Sequence, residues 1–176
     1  MEQHNLSYRD ENDRCYGATG MAVAVVIFDG EDLLATVDLD NTPDRLLEFT
    51  SDFYFSGNPG LSAKTAWNQI LRNFNLTMGC AIANVLCRRI VADKQSVSDD
   101  VRQQLLQLMV DQGRDDCQLE ADETTQLFNK DYAYLSRVFS HSGVQSIAHS
   151  FASTLARRRR LSRLDVVELL RSLQML

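Results

Sequence analysis

Asp38 and Asp40 are the residues whose types and spacing best suit catalysis. They close the apolar run Leu33–Thr42 (LLATVDLDNT). Paired carboxylates support a displacement in which one attacks and the other protonates the leaving oxygen. A second candidate is the only dense basic cluster, Arg157, Arg158, Arg159 and Arg160 with Arg163 close behind. Arginines at a helix end favour its negative pole, but four in succession exceed that need. Such a cluster suits phosphate groups of nucleic acid or an acidic protein surface. The third is the aromatic stretch Phe53, Tyr54 and Phe55, beside the turn residues Gly57-Asn58-Pro59-Gly60. These side chains suit either a binding rim or a lid over the core.

Other chemistry-bearing residues lack a working spacing. Cys80 and Cys87 share a helix face but stand roughly 10 Å apart along the axis, too far to bond to each other or to share a zinc ion. His141 and His149 are about 12 Å apart on a continuous helix, beyond a shared metal. Asp111–Asp122 is acidic, yet Gly113 and Asp116 fall where a calcium loop needs a ligand and a glycine. No metal or cofactor is expected.

The segment Asp38-Leu39-Asp40-Asn41-Thr42 after an apolar strand resembles the first motif of the haloacid-dehalogenase-like phosphatases. The resemblance covers about ten residues. It implies Asp38 as nucleophile, Asp40 as general acid, a Mg²⁺ ion held between them and the phosphate, and a parallel sheet. Pro43 stands where that family has an apolar residue, and the following hundred or so residues read as successive helices rather than buried strands.

The 176 residues suit one core, and 44% hydrophobic with 24% charged residues is ordinary for a globular chain. A formal charge of −6 disfavours non-specific nucleic-acid binding by the whole surface. The N-terminal residues lack an apolar leader, so the cytoplasm is the expected compartment and the four cysteines are expected to be reduced. The apolar part of the long run after Ser62 ends at Arg88-Arg89 after about ten residues, short of the ~20 that span a bilayer.

The elements that must position these residues are organised around Ser62–Asp93. Its first half carries one apolar face through Ala63, Ala66, Trp67, Ile70, Leu71 and Phe74. Its second half is apolar nearly all round, which predicts a buried central helix with a break near Asn73–Thr77. Residues 1–16 are polar and expected to be loose, leaving 17–176 as one domain. Gly20–Phe28 (GMAVAVVIF) and Leu33–Asp38 read as an antiparallel hairpin turning at Asp29-Gly30, with Phe53–Phe55 as a possible third strand. Thr42-Pro43 predicts a short helix to Thr50. Further helices are predicted from Ser98 to a stop at Gly113, over 119–139, over Val144–Arg158 and from Ser162 onward.

The predicted fold is therefore α+β: an antiparallel hairpin packed on a bundle of five to six helices. The favoured function is non-catalytic protein association, as a homo-oligomer, with the apolar last helix as one contact surface. The alternatives are a Mg²⁺-dependent phosphohydrolase using Asp38 and Asp40, and a nucleic-acid-associated factor using Arg157–Arg160.

Overall fold

Two buried helices lie against each other through residues too small to hold them apart. The computed structural model describes residues 6–54 and 62–176. Helix α1 spans Glu11–Ile27 and helix α3 spans Ala63–Leu86. Gly17 lies at Asn84, Gly20 at Ala83 and Cys87, and Gly79 at Phe28, so the two run antiparallel. A Cβ on Gly20 would press on the Ala83 carbonyl and come within 2.6 Å of the Cys87 Cβ. The approach is close because both positions lack bulk.

Gly20–Phe28 is thus the second half of α1 and its C-cap rather than a strand. Its β-branched residues favour extended backbone only weakly, and burial on all sides overrides that preference. The Asp10 side chain accepts from the Asp13 N–H and caps the helix. Residues 11–16, expected to be loose, form its first turns, with Asp13 and Cys15 buried.

The sheet has three antiparallel strands in the order β2-β1-β3. Strand β1, Leu34–Asp38, is central and pairs with β2, Leu47–Phe49, and with β3, Arg160–Ser162. The hairpin is therefore β1–β2. The predicted helix after Thr42-Pro43 is replaced by a turn in which the Arg45 N–H donates to the Thr42 carbonyl. Proline at the second turn position fits it as well as a helix start. Leu46 and Leu47 are buried and carry the chain back into the sheet. The third strand is β3. Phe53 lies instead in a short helix α2, Ser51–Tyr54, while Phe55 and Gly57–Gly60 lie outside the described residues.

The central helix runs unbroken through Asn73–Thr77. It changes character later, at a π-helical segment Cys87–Ala92. By length and composition the run Ala63–Ala92 could cross a membrane; 56% of its most apolar stretch is buried inside this fold. Helix α4, Asp99–Cys117, is capped by Ser98 as predicted. It passes through Gly113, whose missing side chain admits Thr124 and Phe74. It ends at Gln118, left-handed at φ 53°, whose N–H bonds back to the helix carbonyls. Helices α5, Ala121–Ser140, and α6, Ser142–Arg158, follow. Helix α7, Arg163–Leu169, is opened by a reciprocal Ser162–Asp165 cap and is followed by a 3₁₀ turn, Arg171–Met175. The architecture is the expected α+β: a small antiparallel sheet on a helical bundle around a buried central helix.

Gly20→Ala should lower unfolding stability by about 1–3 kcal/mol, because the added methyl must push α1 off α3. Equilibrium urea denaturation measures it, and an unchanged midpoint would show that the seam is looser than described.

Candidate functional site

A buried ion pair fixes one wall of a surface depression. Arg88, at the start of the π-helical segment, donates to the Asp13 carboxylate at 2.6 Å, with both side chains almost fully buried. It also donates to the carbonyls of Leu6 at 3.0 Å and Ser7 at 2.7 Å and to the Asn84 Oδ1 at 3.3 Å, and its guanidinium sits 4.8 Å from the Tyr8 ring centre. Asn84 donates to the Tyr8 hydroxyl at 2.7 Å. Arg9 bridges Asp13 and Asp93. Burial alone would raise the Asp13 pKa, but hydrogen bonds from Arg88 and Arg9 outweigh it and hold the carboxyl well below its usual range. The segment Leu6–Arg9 is thereby tied across α3.

Beside it lies a groove of about 1070 Å³. Thr77, Ala81, Asn84 and Val85 form its floor, at the spacing of one face of α3. One wall is the Leu6–Tyr8 segment with Met21 of α1; the other is Leu105, Leu108 and Met109 of α4. Asp10, Glu11 and Asp44 stand around it with Arg14. Leu108 is half exposed, at 51%. The lining is mostly apolar and the surrounding charge mostly acidic. Sequence reading missed this site because its residues come from four separated segments; the i, i+4, i+8 spacing of Thr77, Ala81 and Val85 was the only local trace.

The sequence candidates Asp38 and Asp40 do come together with the arginine cluster, as ion-pair partners. Asp38 is the β-bridge partner of Arg160, with 3.9 Å between their charged groups. Asp40 accepts from Arg159 at 2.6 Å, which also pairs with Glu11. The Arg159 hydrogen bonds lower the Asp40 pKa. Arg158 is held by Asp165 at 3.1 and 3.2 Å. Arg157 and Arg163 are exposed and have no acidic partner among the described residues. The strand bearing the aspartates is the middle of an antiparallel sheet, whereas the phosphatase resemblance implies a parallel one. Among the described residues no three His, Cys, Asp or Glu side chains gather as a metal site.

Phe53 stacks on Phe49 at 4.3 Å and is partly buried, while Tyr54 is exposed. His141 caps α6 through its Nδ1, which accepts from the Gly143 N–H. His149 lies between the Tyr16 hydroxyl at 2.6 Å and the Lys94 ammonium at 3.3 Å. An ammonium only donates, so Nε2 accepts from Lys94 and Nδ1 is left to donate to Tyr16; burial and Lys94 also lower the His149 pKa. The four cysteines are buried free thiols. Burial pushes Cys15 up to about 11 and Cys80 up to about 12, so neither is a ready nucleophile. Asp111 and Asp115 in the acidic segment face Arg114.

Two buried carboxylates should show opposite pH signs. Asp13 is depressed in the fold, so it stabilises above the ordinary carboxylate pKa and that stability is lost as pH falls below about 4. Arg88→Met, which strands its charge, should cost about 3–5 kcal/mol at neutral pH and much less in acid. Asp131 is buried with its pKa raised by desolvation. Its charged form opposes folding once pH exceeds about 4. Asp131→Asn should therefore raise the melting temperature at pH 7 and lose that advantage near pH 3. Calorimetry across this range checks both, and a destabilised Asp131→Asn at pH 7 would refute its assignment.

Comparison with protein-family models, with curated proteins and with solved structures finds no match for this chain.

Proposed function

We propose that the protein works by association with other protein surfaces, through the groove between α1 and α4, as part of a homo-oligomer. The observation that carries this reading is the groove itself. Its α3 floor, from Thr77 to Val85, is roughly 12 Å long, about two helical turns. Its volume of about 1070 Å³ stands at the upper end of small-molecule pockets. An amphipathic helix laid into such a groove buries leucine-type anchors at i, i+3 or i+4 and i+7 against the floor. The acidic residues Asp10 and Asp44 favour basic residues beside those anchors.

The alternatives have narrower support. A phosphohydrolase would need Asp38 and Asp40 free of their arginines. A nucleic-acid contact would rest on Arg157 and Arg163, since Arg158, Arg159 and Arg160 already face carboxylates.

A designed helical peptide with leucine anchors and lysines along one edge should bind the protein and lose affinity as salt rises. Leu108→Glu should weaken binding about tenfold or more by placing a carboxylate at the apolar wall. Asp44→Lys should weaken it a few-fold and flatten its salt dependence. Fluorescence anisotropy reads both, and binding indifferent to Leu108→Glu would move the docking site elsewhere.

A further inference from the structure

The surface opposite in character to the groove lies at the C-terminal end of the described fold. Val166 and Leu170 turn inward and are fully buried, which sets the orientation of α7. On its other side Leu164 and Glu168 lie at i and i+4, and Arg171 and Met175 follow in the adjoining 3₁₀ turn; all four are exposed. Leu164 is 75% and Met175 86% exposed, the two most exposed large hydrophobics among the described residues. Arg163 and Arg171 flank them without an acidic partner among the described residues, and Arg157 is exposed nearby in sequence. Glu168 is the one acid on this ridge. The ridge is apolar with basic flanks.

The groove has the matching pattern. Apolar Leu105, Leu108 and Met109 form one wall, and Asp10 and Asp44 stand at its rim. Of the other charges there, Glu11 is already taken by Arg159, and Arg14 is the single cation. Leu108 on the groove and Leu164 and Met175 on the ridge are exposed, and with opposite charges beside them the two surfaces suit mutual burial.

We propose that the groove's occupant is the α7 ridge of a second copy of this chain. This rests on the association reading above. Leu164 and Met175 fill the apolar part of the groove, and Arg163 and Arg171 meet Asp10 and Asp44. The two surfaces differ, so the contact is heterologous: each copy offers a ridge to one neighbour and a groove to the next. Such contacts continue until a ring closes or a filament grows.

The test is the full chain in sedimentation velocity and light scattering at rising concentration, up to about 1 mM. Leu164→Glu disables the ridge, and Leu108→Glu disables the groove. Both positions are more than half exposed, so the fold tolerates them. The wild-type chain should exceed the monomer mass, and each variant alone should associate about tenfold or more weakly. Mixed in equal amounts, the variants should form a 1:1 pair that grows no further, because one live ridge meets one live groove. Met175→Glu should behave as Leu164→Glu does. Association of the wild type that neither variant weakens would overturn the proposal, as would variants that fail to pair on mixing. A wild-type monomer throughout would overturn it too. In that case, binding of the lysine-edged leucine peptide that is lost in Leu108→Glu would leave the groove reading standing, with another protein as occupant. Absence of both would sink the two together.

Discussion

Burying Arg88 and Asp13 together is the constraint on which the functional surface depends. Removing two charges from water costs several kcal/mol each, and only good geometry offsets it. Here the offset comes from a direct bond of 2.6 Å, two carbonyl acceptors and the face of Tyr8. The acceptors matter most for shape. Because Arg88 needs the carbonyls of Leu6 and Ser7, the segment before α1 must cross α3 at that level. That crossing supplies Leu6, Ser7 and Tyr8 to the groove. The charge pair and the apolar depression are thus one construction.

The π-helical segment serves the same end. A wider turn shifts the facing of every later side chain, and such segments often occur where a helix must present a particular group. Arg88 lies in it and points inward, while Arg89 pairs with Asp93. The chain then leaves through Lys94, at φ 56°, which reaches Gln145 and His149 on α6. The end of the central helix is thereby tied to α1, to the entry segment and to α6.

Much of the helical layer was legible in the amino-acid order. The all-round apolarity of Met78–Cys87 marks a buried helix, and Ser98 and Ser162 cap as their types suggest. Two kinds of feature were not legible. Gly20–Phe28 looks like a strand because Val and Ile favour extended backbone, and only contact with α3, far along the chain, reverses that preference. The turn at Thr42-Pro43 satisfies helix and turn rules equally, and the burial of Leu46 and Leu47 in the sheet decides between them. The candidate residues divide in the same way. Asp40 and Arg159 were each noticed, but their pairing spans 119 positions and leaves no local trace. The groove was missed because no single segment carries enough of it to form a pattern.

The glycine-lined seam between α1 and α3 also shields two of the chain's four thiols. Cys80 hydrogen-bonds to the Met21 carbonyl across that seam, Cys87 lies against Gly20, and Cys15 bonds to Ala152 on the other side of α1. At neutral pH a thiol with a pKa near 11 is ionised in only about one molecule in ten thousand, and burial restricts access further. Oxidants and alkylating agents would therefore reach Cys80 and Cys87 only where the α1–α3 contact opens, and Cys15 only where α1 parts from α6. An adduct on Cys80 or Cys87 would need space the seam does not have, and would oppose its closing. The same close fit that stabilises the fold makes its opening a chemically recorded event.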